Sequence, residues 1–129
     1  MNFKIFFKQY FPSIIITVVI LYLCFAPPSA FQGVSKFPKN TDKLVHLLMF
    51  AVLTMALHFD FEKQLVSLSK SKWKVCLLFP AALGLLIEIC QRFIFTYRSG
   101  DWKDWLCDLA GIFVVYVVVK VVKQLRIKN

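Results

Sequence analysis

The sequence predicts an all-α membrane protein, a compact bundle of four transmembrane helices with both termini cytoplasmic. Three observations predict it. First, 59% of the 129 residues are hydrophobic, 14 of them Phe, with a mean hydropathy of +0.67. A soluble domain of this length has too little interior to hide that much apolar surface. Second, four apolar stretches approach the roughly 20 residues that a helix needs to cross a core of about 30 Å. Third, the basic residues gather beside those stretches, which sets an orientation.

The first stretch runs from Phe11 to about Phe31, with Pro27 and Pro28 near its outer end. Lys4 and Lys8 in front and "APPSA" behind resemble a secretory leader. The apolar core exceeds the about 7–15 residues of such leaders, and prolines crowd the would-be cleavage site, so it reads as a span. The second stretch covers about Lys43 to Phe59 and the third about Trp73 to Phe95. The fourth covers about Asp104 to Val122. Its Val-rich half has strand propensity, but a lipid-exposed segment must satisfy its backbone internally, so helix is expected. No repeat or second domain is visible, and residues 1–129 read as one domain.

Lys4, Lys8, Lys63, Lys70, Lys72, Lys74, Lys120, Lys123, Arg126 and Lys128 fall on one side of this layout. Lys36, Lys39, Lys43, Arg92, Arg98 and Lys103 fall on the other. The richer side should be cytoplasmic. The net charge of +9 therefore points to orientation and anionic lipid rather than nucleic acid. No zinc-finger spacing, phosphate-binding glycine loop or aromatic-basic interleave suggests DNA or RNA. Cys24, Cys76, Cys90 and Cys107 lack metal-ligand spacing and read as free thiols. Trp73, Trp102 and Trp105 fall at expected interfaces and read as anchors.

The acids are distributed unevenly. Asp60 and Glu62 fall in a cytoplasmic loop, where solvated charge is the ordinary reading. Asp42, Glu88, Asp101, Asp104 and Asp108 all map to the outer ends of the second, third and fourth helices, as do His46, Gln91, Arg92 and Arg98. At about 1.5 Å per residue, Glu88 lies about 10 Å below the outer end of its helix. Insertion there costs about 3 kcal/mol unless the group faces a bundle interior or a wet cavity. Gly84, Glu88 and Gln91 share a helix face, and Arg92 is placed to pair with Glu88. Asp101, Asp104 and Asp108 are also aligned on one face. Asp101 reads as a helix cap and Asp104 as a first-turn acid or second cap. Asp108 is too deep for either role. It must pair with a base, bind a cation or substrate group, or carry a proton. Asp42 caps the second helix or joins His46 in acid–base or ligand work. The inner half shows no polar residues that would continue an aqueous path.

Together these residues resemble the VanZ-like membrane protein family, named for a protein associated with teicoplanin resistance. The resemblance rests on "DKLVH" (Asp42, Lys43, His46), "EICQ" (Glu88, Gln91), Arg98, and "DWLCDLAG" (Asp104, Asp108, Gly111). It covers residues 42–111 and the four-span layout. It implies a multi-pass protein of the bacterial cytoplasmic membrane, linked to glycopeptide resistance. The family pattern often has Asn where this chain has Asp108, which implies that a fixed negative charge there is dispensable.

Three readings of the cluster follow. In the first, Asp42, Lys43, His46, Glu88, Gln91, Arg98, Asp104 and Asp108 form an extracytoplasmic pocket for the polar part of an amphiphile. Its partners would be membrane lipids, a lipid-linked wall precursor or a lipoglycopeptide, with Arg98 on phosphate or carboxylate. In the second, His46, Glu88 and Asp104 perform acid–base catalysis on an envelope lipid. Alternatively, Asp42, His46, Asp104 and Asp108 hold a divalent cation that activates water. In the third, the cluster only locks helix ends together.

Overall fold

The structure is a computed structural model that describes residues 2–31, 41–63, 70–95 and 100–129. The described residues are all helix and connection, with no strand. Five α-helices follow one another: α1 (Phe3–Gln9), α2 (Phe11–Phe25), α3 (Thr41–Glu62), α4 (Lys70–Phe93) and α5 (Trp102–Lys128). The segments Thr41–Glu62, Ser71–Phe93 and Trp102–Lys128 are each long and apolar enough to cross a membrane. They make this a multi-pass membrane protein. The Val-rich part of α5 is helical throughout, as backbone satisfaction in lipid requires.

The first expected span is not one straight helix. α1 and α2 meet at a 77° bend, and count as a further span only if the pair is taken together. Pro12 stands in the first turn of α2, where its missing N–H interrupts no hydrogen bond. α2 also ends at Phe25 rather than near Phe31. Ala26 adopts extended dihedrals of φ −63° and ψ 140°, the conformation imposed on a residue that precedes proline. A short 3-10 turn, Pro28–Phe31, follows.

Consecutive helices run antiparallel, as Ser13 meeting Asp60 and Trp105 meeting Ala81 show. α3 and α5 therefore run parallel, with His46 beside Asp108 and Glu62 beside Lys123, and two ends of the bundle can be distinguished. α3 packs most extensively on α5, with α4 beside α5 and α2 beside α3. Ile20 of α2, Phe50 and Leu53 of α3, Cys76 and Ile87 of α4, and Ile112 and Val115 of α5 form the buried centre. Phe113, Val114, Val117 and Val118 remain exposed on α5, the surface that lipid would solvate. Without a strong hydrophobic drive between helices in lipid, close packing depends on small residues. Gly111 supplies it: a Cβ there would overlap the Leu47 carbonyl oxygen of α3 and lie 3.1 Å from the Leu47 carbonyl carbon.

Several polar groups contradict the sequence expectation at the end where α3 finishes. α3 continues through Glu62, so Asp60 is not a loop residue; its relative exposure is 0%. Its Oδ2 accepts from the Ser13 backbone N–H at 3.2 Å and from the Ser13 hydroxyl at 2.6 Å. Lys63 Nζ lies 3.7 Å from Oδ1. His58 is also buried, 3.2 Å from Glu62, which pairs with Lys123 of α5 at 3.1 Å. Trp73 is not a surface anchor. It stacks on His58 at 5.2 Å and meets the edge of Tyr116 at 5.1 Å. The half expected to face the cytoplasm is therefore not devoid of polar residues. Here a groove of about 370 Å³ is lined by Pro12, Ile16, Met55, Phe59, Asp60 and Lys63, among others.

Candidate functional site

The opposite end carries most of the residues that the sequence singles out. Three helices build it: the second turn of α3, the last turns of α4 and the first turns of α5. Asp108 lies at the centre with 1% exposure. Its Oδ1 is 3.0 Å from His46 Nδ1. Behind it stands Gly84 of α4, whose missing Cβ would come within 2.7 Å of Asp108 Oδ2. A side chain at 84 would occupy the space that the carboxylate uses. With its proton on Nδ1, His46 donates to Asp108 and leaves a lone pair on Nε2. That second nitrogen is 3.9 Å from Asp104 Oδ2.

The start of α5 organises the remaining acids. Asp101 is the N-cap, and its side chain accepts from the Lys103 N–H at 3.0 Å, as its position in the sequence suggested. It does more than cap. Its own N–H donates to Glu88 Oε2 at 2.9 Å, which joins the end of α4 to the start of α5. Gly100 permits this approach, since a Cβ there would lie 2.7 Å from the Glu88 carbonyl oxygen. The other carboxylate oxygen, Glu88 Oε1, is buried and has no hydrogen-bond partner among the described residues. Lys43 Nζ bridges the rim, 3.8 Å from Asp101 and 4.0 Å from Asp104. The positive end of the α5 dipole also favours these carboxylates. One ligand-type atom each from His46, Glu88 and Asp104 fall within 4.8 Å of one another.

The structure thus brings Lys43, His46, Glu88, Asp104 and Asp108 together, and separates others from them. Asp42 is exposed in the first turn of α3 rather than capping it. Arg92 is exposed and makes no ion pair with Glu88, whose Oε2 accepts from the Asp101 N–H. Gln91 donates from Nε2 to the Cys24 carbonyl at 2.7 Å. That carbonyl would ordinarily accept from the residue four positions later, which is Pro28 and has no N–H. Gln91 therefore satisfies a helix end that proline leaves open. Trp105, expected as an interfacial anchor, donates to the Ala81 carbonyl at 3.0 Å and ties α5 to α4. Trp102 is 63% exposed, as an anchor would be. Arg98 lies outside the described residues.

The buried pair between Asp60 and Ser13 escaped sequence reasoning. A signal was present, since Leu53, Leu57 and Asp60 share the helix face that packs inward.

A family model described as VanZ/LLP1 matches residues 5–123. Neither a curated protein nor a solved structure matches the chain.

Proposed function

The chain belongs to the VanZ/LLP1 family, and from this and the site geometry we propose that it is a recognition protein of the bacterial cytoplasmic membrane. In this reading α1 and α2 together form the first of four spans, and both termini are cytoplasmic. The His46–Glu88–Asp104–Asp108 cluster faces the extracytoplasmic side. It holds the polar part of an amphiphilic envelope molecule, either a lipid head group, a lipid-linked wall precursor or a lipoglycopeptide. Arg98, in the segment that joins α4 to α5, is the proposed contact for a phosphate or carboxylate. A role in teicoplanin resistance would follow from binding or altering such a target.

One observation carries this reading. Glu88 Oε1 is buried without a hydrogen-bond partner among the described residues, beside His46 and Asp104. A carboxylate oxygen kept in that condition costs stability unless something occupies the space beside it. A second reading, catalysis, is favoured by the His46–Asp108 pair. It orients the imidazole so that Nε2 meets the acids, as a general base requires.

Mass spectrometry of lipids that co-purify with the protein tests the proposal. Wild type is expected to retain one enriched class of amphiphile. Glu88→Gln should retain at least about tenfold less, a loss of about 1.4 kcal/mol in binding, with little change in thermal midpoint. His46→Ala should lose the amphiphile and also melt earlier, because it leaves Asp108 buried without its partner. Identical lipid profiles in all three proteins would contradict recognition. Variants that retain the amphiphile but only melt earlier would assign the cluster to structure alone.

A further inference from the structure

We propose that His46 Nε2, Glu88 and Asp104 form a divalent-cation centre, with Asp108 holding the imidazole in position. The inference deepens the recognition reading and rests on the same cluster being a binding site. It gives that site a chemistry: the metal would bridge protein carboxylates to an anionic head group, which a set of acids alone would repel.

Four observations converge on a cation. The ligand-type atoms of the three residues lie within 4.8 Å of one another and come from three different helices. Bonds of about 2.0–2.2 Å place the ligands of one ion closer together than that limit, and small side-chain rotations bridge the difference. Glu88 is 94% buried by its 6% exposure, and its Oε1 has no hydrogen-bond partner among the described residues. The Asp101 N–H fixes the other oxygen, Oε2, at 2.9 Å. Asp108 then sits where a carboxylate behind a metal-bound histidine belongs. It takes Nδ1 at 3.0 Å and leaves Nε2 for the ion, an arrangement that selects the tautomer and strengthens the ligand. Finally, the charges are unbalanced. Glu88, Asp104 and Asp108 crowd one end of the bundle, where Lys43 approaches Asp104 at 4.0 Å. A dication between them offsets their repulsion.

The donor set identifies the class of ion. One imidazole and two carboxylates, without sulfur, suit zinc or manganese. Three protein ligands leave a coordination position open for an oxygen of a bound molecule. Asp42, which the sequence also offered as a ligand, is exposed, and Asp108 supports the histidine rather than facing the ion.

The test uses the full chain purified in detergent, stripped with EDTA, and titrated separately with Zn²⁺ and Mn²⁺. Bound metal is counted by mass spectrometry and affinity is measured by calorimetry. Wild type should bind about one ion per chain. Glu88→Gln and Asp104→Asn should each weaken binding at least about tenfold, as should His46→Ala. Asp108→Leu should weaken it by about 10–100-fold, the usual effect of removing such a supporting group. Asp108→Asn should stay within a few-fold of wild type, because an amide oxygen still accepts from Nδ1. Arg92→Gln, on the exposed face, should bind normally. Should His46→Ala fail to fold, the near-isosteric Glu88→Gln and Asp104→Asn decide the matter.

No bound ion in folded wild type, or unchanged binding in both carboxylate variants, would overturn the proposal. Lipid analysis of the stripped protein separates the two claims. Retained amphiphile with no metal affinity leaves recognition standing and removes the cation. Metal bound through these residues, with no amphiphile retained at any loading, does the reverse.

Discussion

Gly111→Ala is expected to destabilise the bundle by about 3 kcal/mol, at the upper end of the usual cost of overpacking. The added Cβ would overlap the Leu47 carbonyl oxygen and lie 3.2 Å from the Ala51 backbone nitrogen. Both atoms belong to the α3 backbone, so no rotamer change relieves the clash and the two helices must separate. α3 and α5 share the most extensive helix contact in the molecule. Their separation would open the core around Phe50 and Ile112 and pull His46 from Asp108. Reversible unfolding in detergent, followed by circular dichroism, measures the loss. Unchanged stability would mean that α3 and α5 do not approach closely at this glycine.

Gly84→Ala should behave in the opposite way, leaving the fold and removing the site. Its Cβ would meet Asp108 Oδ2 at 2.7 Å and Trp105 Cδ1 at 3.2 Å. These are side-chain atoms, which can move. The gain in helix propensity, about 1 kcal/mol for Gly to Ala, offsets part of the strain. The thermal midpoint should change little. Asp108 must shift, however, and the Nδ1 contact at 3.0 Å that positions His46 shifts with it. Retention of the amphiphile should fall at least about tenfold, measured as co-purified lipid per mole of protein. Wild-type retention in a folded Gly84→Ala protein would mean that the position of Asp108 does not matter to binding.

These two glycines also show how much was legible in the primary structure. Apolar run length located the three helices long and apolar enough to cross a membrane, and helical spacing placed His46, Glu88, Asp104 and Asp108 at one end. Spacing also put Gly84 on the Glu88 face and Gly111 one turn beyond Asp108. It could not show which helix each glycine would face, because that depends on how the helices cross. The bend at Tyr10 was hidden for a similar reason. Pro12 is compatible with either a helix start or a continuing approach to one. Asp42 and His46 share a helix face by spacing, yet one is exposed and the other buried. Asp42 stands in the first turn of α3 and His46 one turn deeper, and periodicity does not encode depth. Asp60 was misread because charge near a loop is usually solvated, whereas here the Ser13 N–H and hydroxyl supply its solvation inside the bundle. The face that Gln91 shares with Glu88 suggests a binding role, and spacing alone does not show that its amide meets the Cys24 carbonyl.

The central claim is that side chains from α3, α4 and α5 form one buried polar unit. A double-mutant cycle between His46 and Asp108 tests it most directly, since these residues are far apart in sequence and 3.0 Å apart in space. Unfolding free energies of wild type, His46→Ala, Asp108→Ala and the double variant should give a coupling between about 0.6 kcal/mol, the average measured for polar contacts between membrane helices, and about 1.7 kcal/mol, the maximum. Strictly additive losses, with a coupling indistinguishable from zero, would show that the two side chains do not meet, and the site would not exist as described.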